Sequence, residues 1–285
     1  MRGTGRAYAA GTVVNAISAK KGCAFALDLK VTVRAREAEE DAVRTDVEDT
    51  SLVERCVDVV REHVDAEDAR FRIEIESEIP VAVGLASSSA VSNAVVEALL
   101  RALGREPEPL EVVRLGVEAS LRAGVTATGA YDDACASFLG GIVLTLNDER
   151  RIVDVREPPY DHAVVLLPGG RVETREVDVE RLERVAPVAE AAFERALVGD
   201  YRSAMLINSS AYCPLLGHDL DPVLDALEAG ASAAGLSGTG PAYVALCETR
   251  SDAEAVEEAW EDVGKTLRTR VVGLERVGGA QAQDR

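Results

Sequence analysis

The sequence predicts an α+β fold in two domains. In each half of the chain, segments with the two-residue alternation of strands come first and segments with helical periodicity follow. A strand, Phe71 to Ser77, leads into a helix, Ala90 to Leu103, through a loop rich in small residues. Pro158-Pro159 then interrupts the chain between the two halves, which sets an N-terminal domain over 1–157 and a C-terminal domain over 158–285.

The elements follow in order. Gly5 to Ser18 alternates small and β-branched residues around Gly11, which predicts a strand pair or a bent strand. Lys20-Lys21-Gly22 makes a basic turn, and Cys23 to Asp28 and Val31 to Arg36 read as two further strands. Glu37 to Asp49 is an acidic, solvated loop, after which Thr50 or Ser51 caps a helix reaching about His63. Pro107 and Pro109 precede a helix from Leu110 to Ala123, and Gly124 to Gly129 is a small-residue loop. Gly140-Gly141 precedes a strand, Ile142 to Leu146, and Asn147-Asp148 turns into Ile152 to Val155. In the second half, His162 to Leu167 reads as a buried strand. Helical periodicity covers Val179 to Ser210 and Pro222 to Ala229. Strand Ala242 to Cys247, helix Asp252 to Val263 and strand Arg268 to Val272 close the chain.

Composition narrows the function. A chain of 285 residues with 47% hydrophobic content builds a real core. Its net charge of -19 argues against nucleic acid or an anionic membrane surface as partner. Lysine occurs only at Lys20, Lys21, Lys30 and Lys265. An acidic, lysine-poor surface suits a salt-rich cytoplasm, and a genomic preference for arginine would give the same pattern. Cys23, Cys56, Cys135, Cys213 and Cys247 are scattered among apolar or small residues without metal-ligand spacing, as buried free thiols in a reducing compartment are. No apolar run approaches the roughly 20 residues that span a bilayer, so a cytoplasmic protein is expected.

Three constellations carry chemistry. The first is the loop Pro80-Val81-Ala82-Val83-Gly84-Leu85-Ala86-Ser87-Ser88-Ser89-Ala90. Gly84 lets the backbone turn, and the small residues after it leave N–H groups uncovered at a helix start. With the positive end of the helix dipole, this is an anion site; a plain serine N-cap is the alternative. The second is Ser237-Gly238-Thr239-Gly240, a glycine-rich turn before a strand, weak when taken alone. The third is Tyr131-Asp132-Asp133, where two adjacent acids sit among small and apolar neighbours, unlike a solvated surface. The pair could instead cap the segment that follows. Ala259 to Thr266 nearly fits a P-loop, but the first glycine is missing and an acidic helix precedes it where a strand is required. Gly3-Thr4-Gly5 lacks the third glycine of a dinucleotide fingerprint.

The serine-rich loop resembles the phosphate-binding motif of the GHMP kinases, and Leu236 to Pro241 resembles that superfamily's third motif, about 150 residues downstream. The resemblance implies a two-domain GHMP kinase fold, with an N-terminal domain like ribosomal protein S5 domain 2 and a C-terminal ferredoxin-like α/β sandwich. It also implies that Pro80–Ala90 and Ser237–Gly240 bind ATP. Asp132 would address the acceptor hydroxyl, with Asp133 beside it as the competing catalytic acid. Ser88 and Glu118 would hold Mg²⁺, with Glu111 as competitor to Glu118 and a solvated Glu118 as the plain alternative. Asn15, Lys20, Lys21, Tyr131 and Asp132 would face the acceptor. Ala10-Gly11-Thr12-Val13-Val14-Asn15 matches the first motif only in part, because Thr12 stands where mevalonate kinases carry lysine. Asn208 to Tyr212 and Leu216 to Asp219 are secondary candidates for the acceptor side.

Across the whole chain these motifs look most like those of the archaeal shikimate kinases. The resemblance implies transfer of phosphate from ATP to the 3-hydroxyl of shikimate, with a monomer and a homodimer both open. Homoserine kinase is the nearest rival within the superfamily, ahead of pantoate and mevalonate-pathway kinases. A catalytically silent metabolite sensor of the same fold is the rival of a different class.

Overall fold

The computed structural model describes residues 1–126, 128–168 and 179–276. The chain opens with a long antiparallel hairpin made of β1 (Arg2–Val14), a single helical turn α1 (Ala16–Ala19) and β2 (Lys21–Glu37). Cys23–Asp28 and Val31–Arg36, read as two strands, are one. Register shifts at Tyr8/Ala9 and Thr12/Val14 bend the hairpin without breaking it, as bulges do. Next come β3 (Ala42–Arg44), α2 (Ser51–Val64), β4 (Phe71–Ser77), α3 (Ser87–Ala102), α4 (Pro109–Arg122), α5 (Tyr131–Leu139), β5 (Ile142–Leu146) and β6 (Arg151–Arg156).

The length of β2 organises this half. One edge pairs with β1, while the other pairs with β4 along Val31–Glu37 and with β5 along Lys21–Phe25. β3 beside β4 and β6 beside β5 complete six strands. Helices α3 and α5 pack on the β1–β2 hairpin, and α2 and α4 pack on α3. The approach of α3 is close: a Cβ at Gly3 would lie 2.1 Å from Ala98 O, and one at Gly5 would lie 2.0 Å from Ala94 O. Gly3-Thr4-Gly5 therefore serves helix–strand packing along the second half of α3.

The second half contains β7 (His162–Pro168), α6 (Val179–Glu183), α7 (Ala186–Leu197), α8 (Tyr201–Leu216), α9 (Asp221–Glu228), β8 (Ala233–Leu236), β9 (Tyr243–Cys247), α10 (Arg250–Ala259) and β10 (Gly264–Arg270). Its antiparallel sheet runs β10-β7-β9-β8. β8 carries no strand signal in its sequence, because Ala-Ala-Gly-Leu lacks β-branched residues. At Gly235 a Cβ would come within 2.9 Å of Ser209 Oγ, so small residues there admit α8. The P-loop-like Gly264-Lys265-Thr266 opens the edge strand β10 and pairs with β7; no helix follows it among the described residues.

Strand alternation divides the sheet's two faces. Ala163, Val165, Val244 and Leu246 join the core of the first half. Val164, Leu166, Ala245 and Cys247 pack with Val256 and Trp260 on the other side. After β10 the chain returns to the first sheet, where Val272 N donates to Ala26 O (3.0 Å) and Gly141 N donates to Val272 O (3.0 Å). The break at Pro158-Pro159 falls between β6 and β7, yet the apolar core runs across it. All five cysteines are buried and free. No described helix is long and apolar enough to cross a membrane.

Candidate active site

Residues Pro80–Ala86 form the loop between β4 and α3, and Ser87 is the first helical residue. The loop is wound through left-handed backbone at Ala82 (φ 58°), Gly84 (φ 88°) and Ala86 (φ 55°). Gly84 is required twice over, since a Cβ there would also lie 2.2 Å from Ser237 O. Ala86 is the N-cap, no side chain caps the helix, and its first turn carries no acid. Ser87 and Ser88 are half-buried, whereas Ser89 and Ala90 are buried. Leu85 is only 1% exposed and anchors the loop in the core, with its carbonyl accepting from Ala10 N (3.2 Å).

The glycine-rich turn lies directly against this loop. Ser237 Oγ donates to Gly84 O (2.7 Å), and Ala242 N donates to Val83 O (3.0 Å). On its far side Gly238 N donates to Thr12 Oγ1 (2.8 Å), Asn15 Nδ2 donates to Gly238 O (2.9 Å), and His218 Nε2 bonds Thr239 O (2.9 Å). A Cβ at Gly240 would lie 2.4 Å from His218 Nε2. Thr12, in the expected lysine's place, is thus a buried peg that ties β1 to the turn. Neither Thr12 nor His218 could be assigned this role from sequence, because both partners are backbone groups more than twenty residues distant.

The acid pair begins α5, after Gly129 (φ 85°) and Ala130 (φ 43°). Asp132 is 4% exposed, and Asp133 is half-buried. Asp132 Oδ1 accepts from Asn147 Nδ2 (2.7 Å), and Asn147 Oδ1 accepts from Thr145 Oγ1 (2.6 Å). Gly22 makes room for the carboxylate, since a Cβ there would lie 2.3 Å from Asp132 Oδ2. Burial pushes both acids up from the ordinary aspartate range. At Asp132 the Asn147 amide and backbone N–H groups of 132 and 133 pull back, while the Asp132 charge drives Asp133 further up. Asn93, on α3, joins the two helices by donating from Nδ2 to Ala134 O (2.9 Å).

Glu118 on α4 pairs with Arg122 Nε (3.0 Å) and with Arg150 (3.8 Å). Asn147 and Arg150 belong to the same β5–β6 turn, so one turn touches both Asp132 and Glu118. Glu111 instead bonds His63 (2.7 Å), at the start of α4.

The side chains of the remaining expected acceptor residues are engaged within the protein. Tyr131 is 1% exposed and packs into the core, because it occupies the inward side of the first turn of α5. Asn15 caps α1 through Oδ1, accepting from Ile17 N (2.9 Å), while its Nδ2 holds Gly238. Lys20 Nζ donates to Ile17 O (2.7 Å), and Lys21 Nζ pairs with Glu190 (3.0 Å) on α7. Asn208 Oδ1 accepts from Asn15 N (2.9 Å), and Tyr212 bonds Ser18, so the polar stretch of α8 braces α1.

Residues 51–141 match the GHMP kinases N terminal domain, and residues 189–266 match the GHMP kinases C terminal domain. The shikimate kinase of Methanothrix thermoacetophila is 47% identical over 266 residues, covering 93% of this chain and 91% of the relative. That of Methanocella arvoryzae is 43% identical over 277 residues, covering 95% and 94%. The fold matches the crystal structure of a homoserine kinase from Cytophaga hutchinsonii with a TM-score of 0.72, at 20% identity and with 95% and 96% of the two chains covered. The chain belongs to the GHMP kinases, in the branch formed with these archaeal shikimate kinases.

Proposed function

We propose that this protein is a shikimate kinase, transferring the γ-phosphoryl group of ATP to the 3-hydroxyl of shikimate. The observation that carries this reading is 47% identity to a shikimate kinase across nearly the whole of both chains. The uncapped start of α3 beside the Ser237–Gly240 turn supports ATP phosphates at that point, held by backbone N–H groups and the helix dipole. Asp132 then orients the acceptor hydroxyl and takes its proton as the oxygen attacks in line, without a covalent enzyme intermediate.

The residues present suit magnesium, which takes hard oxygen donors, only one or two of them from protein. Ser88 is half-buried at the start of α3 and takes no part in capping it, and Glu118 offers a carboxylate that in this structure pairs with Arg122 and Arg150. These two would hold the ion, whose charge would neutralise the β- and γ-phosphate oxygens. Domains over 1–157 and 158–285, and a cytoplasmic location, belong to the same reading.

The test is ADP release with Mg-ATP at high salt, offering shikimate, homoserine, pantoate and mevalonate separately. Turnover with shikimate alone is expected. Turnover with another acceptor would keep the kinase and overturn the substrate. Folded protein silent with all four would favour a metabolite sensor.

A further inference from the structure

The side chains around Asp132 contain a residue that the reaction as described does not use. Asn147 is 3% exposed at the end of β5, and Thr145, two residues earlier on that strand, is fully buried. The Thr145 hydroxyl donates to Asn147 Oδ1 at 2.6 Å, which turns the amide nitrogen towards Asp132 Oδ1 at 2.7 Å. Asn147 N donates to Lys20 O at 2.8 Å, so its backbone is clamped to the end of α1, just before β2, as well. Two short bonds in series, shielded from water, hold an amide in one orientation with no exposed rotamer to adopt.

We propose that Asn147 is a positioning residue for phosphoryl transfer: oriented by Thr145, its amide fixes the Asp132 carboxylate through Oδ1 and leaves the acceptor hydroxyl to the other oxygen. This rests on the reading that Asp132 addresses the acceptor. A carboxylate buried over Gly22 would otherwise favour its neutral form, and a neutral acid cannot take the hydroxyl proton. The amide donates to the ionised form and therefore favours it. The other titratable groups facing Asp132 do not help. Asp133 beside it is acidic, and Cys23 on β2, Cys135 on α5 and Tyr212 on α8 are all held neutral by burial. The Lys20 and Lys21 ammonium groups are turned to Ile17 O and to Glu190. Among the described residues, Asn147 is the side chain that supplies a donor to this carboxylate.

The test compares wild type, Asn147→Ala, Thr145→Val and Thr145→Ser. The acidic limb of kcat against pH should move upward by about one pH unit in Asn147→Ala, the loss of one hydrogen bond to a charged group. Without the donor the carboxylate keeps its proton to higher pH, so activity is lost at a pH where wild type still works. kcat at neutral pH should fall about tenfold or more, with the KM for ATP unchanged. Thr145→Val should shift the limb in the same direction by less, and Thr145→Ser should restore it. If Asn147→Ala does not fold, as judged by circular dichroism, the two Thr145 variants decide the question. A drop in kcat with an unmoved limb would mean a merely structural role and overturn the proposal.

Failure of the substrate reading is separable. The Asp132 carboxyl can be titrated by ¹³C NMR of aspartate-labelled protein, with Asp132→Asn for assignment and no acceptor present. An unshifted Asp132 titration in Asn147→Ala overturns the proposal whether or not shikimate is turned over.

Discussion

Helices α3 and α5 both begin after an alanine in left-handed backbone, Ala86 at φ 55° and Ala130 at φ 43°, and neither start carries a side-chain cap. Each therefore has a first turn of N–H groups that its N-cap residue does not answer, at the positive end of a dipole. They differ in the first turn: α3 has serines and no acid, whereas α5 has Asp132 and Asp133. The field at α3 is left for an anion from outside, while that at α5 is already answered by the chain's own carboxylates. A phosphate suits the first, and a neutral hydroxyl that must lose a proton suits the second. On the proposed reading, first-turn charge, rather than the bare helix end, would separate donor side from acceptor side.

The largest expected effect comes from removing the charge at α5. Asp132→Asn keeps the shape and the helix start but cannot accept a proton. Steady-state kinetics should show kcat lowered by about 10²–10⁴-fold, with the KM for ATP nearly unchanged. A loss below tenfold would take the acid out of the reaction and leave the comparison without its second term.

Making α3 resemble α5 is the converse. Ser87→Asp places a carboxylate in the first turn of α3, where an acid stabilises a helix by about 0.3–1 kcal/mol. The melting temperature should hold or rise, while the KM for ATP rises at least about tenfold, a cost of about 1.4 kcal/mol in phosphate binding. Unchanged ATP affinity would show that the phosphates lie elsewhere.

Asp133→Asn sharpens the contrast within the pair. The Asp133 carboxyl is raised by burial and by Asp132, so the folded state holds its proton above the pH at which the unfolded chain releases it. Stability from this group is thus complete below the unfolded value of 3.8 and declines as pH rises towards the raised folded value. Asparagine removes that decline. Thermal denaturation should show Asp133→Asn more stable than wild type at pH 7 by about 2 °C or more, the shift roughly 1 kcal/mol gives in a chain of this size. The gap should close near pH 4.

The sequence marks both loops, though not the helix that follows the second, and leaves their supports hidden. Small residues between an alternating strand and an apolar helix mark the α3 loop locally, and an acid pair among alanines marks α5 in the same way. Asn147 carries no such mark. Before Asp148 it has the pattern of an ordinary turn, and its bond to Asp132 exists only because β5 pairs with β2 beneath α5. Thr12 and His218 were equally silent, since each bonds to backbone that tertiary folding delivers. Tyr131 is hidden from the sequence in the opposite way. Adjacency to an acid suggests a shared site, yet consecutive helix positions point about 100° apart, and this one points into the core.

The smallest expected effect is at the basic turn, the part of the acceptor side that the geometry supports least. Lys21 pairs with Glu190 between side chains that are 38% and 51% exposed, and such a pair contributes about 0–1 kcal/mol in water. Lys21→Ala should leave the KM for shikimate within about twofold and shift the melting temperature by about 2 °C or less. Lys20 differs, because its Nζ reaches Ile17 O and its own backbone closes α1 at φ 56°. Lys20→Gly should relieve the left-handed strain while losing that bond, so the two changes offset. A KM for shikimate raised more than tenfold in Lys21→Ala would mean that the ammonium leaves Glu190 for the acceptor. The acceptor's carboxylate would then be held by a charge that swings in from the surface, and the acceptor side would no longer be defined by α5 alone.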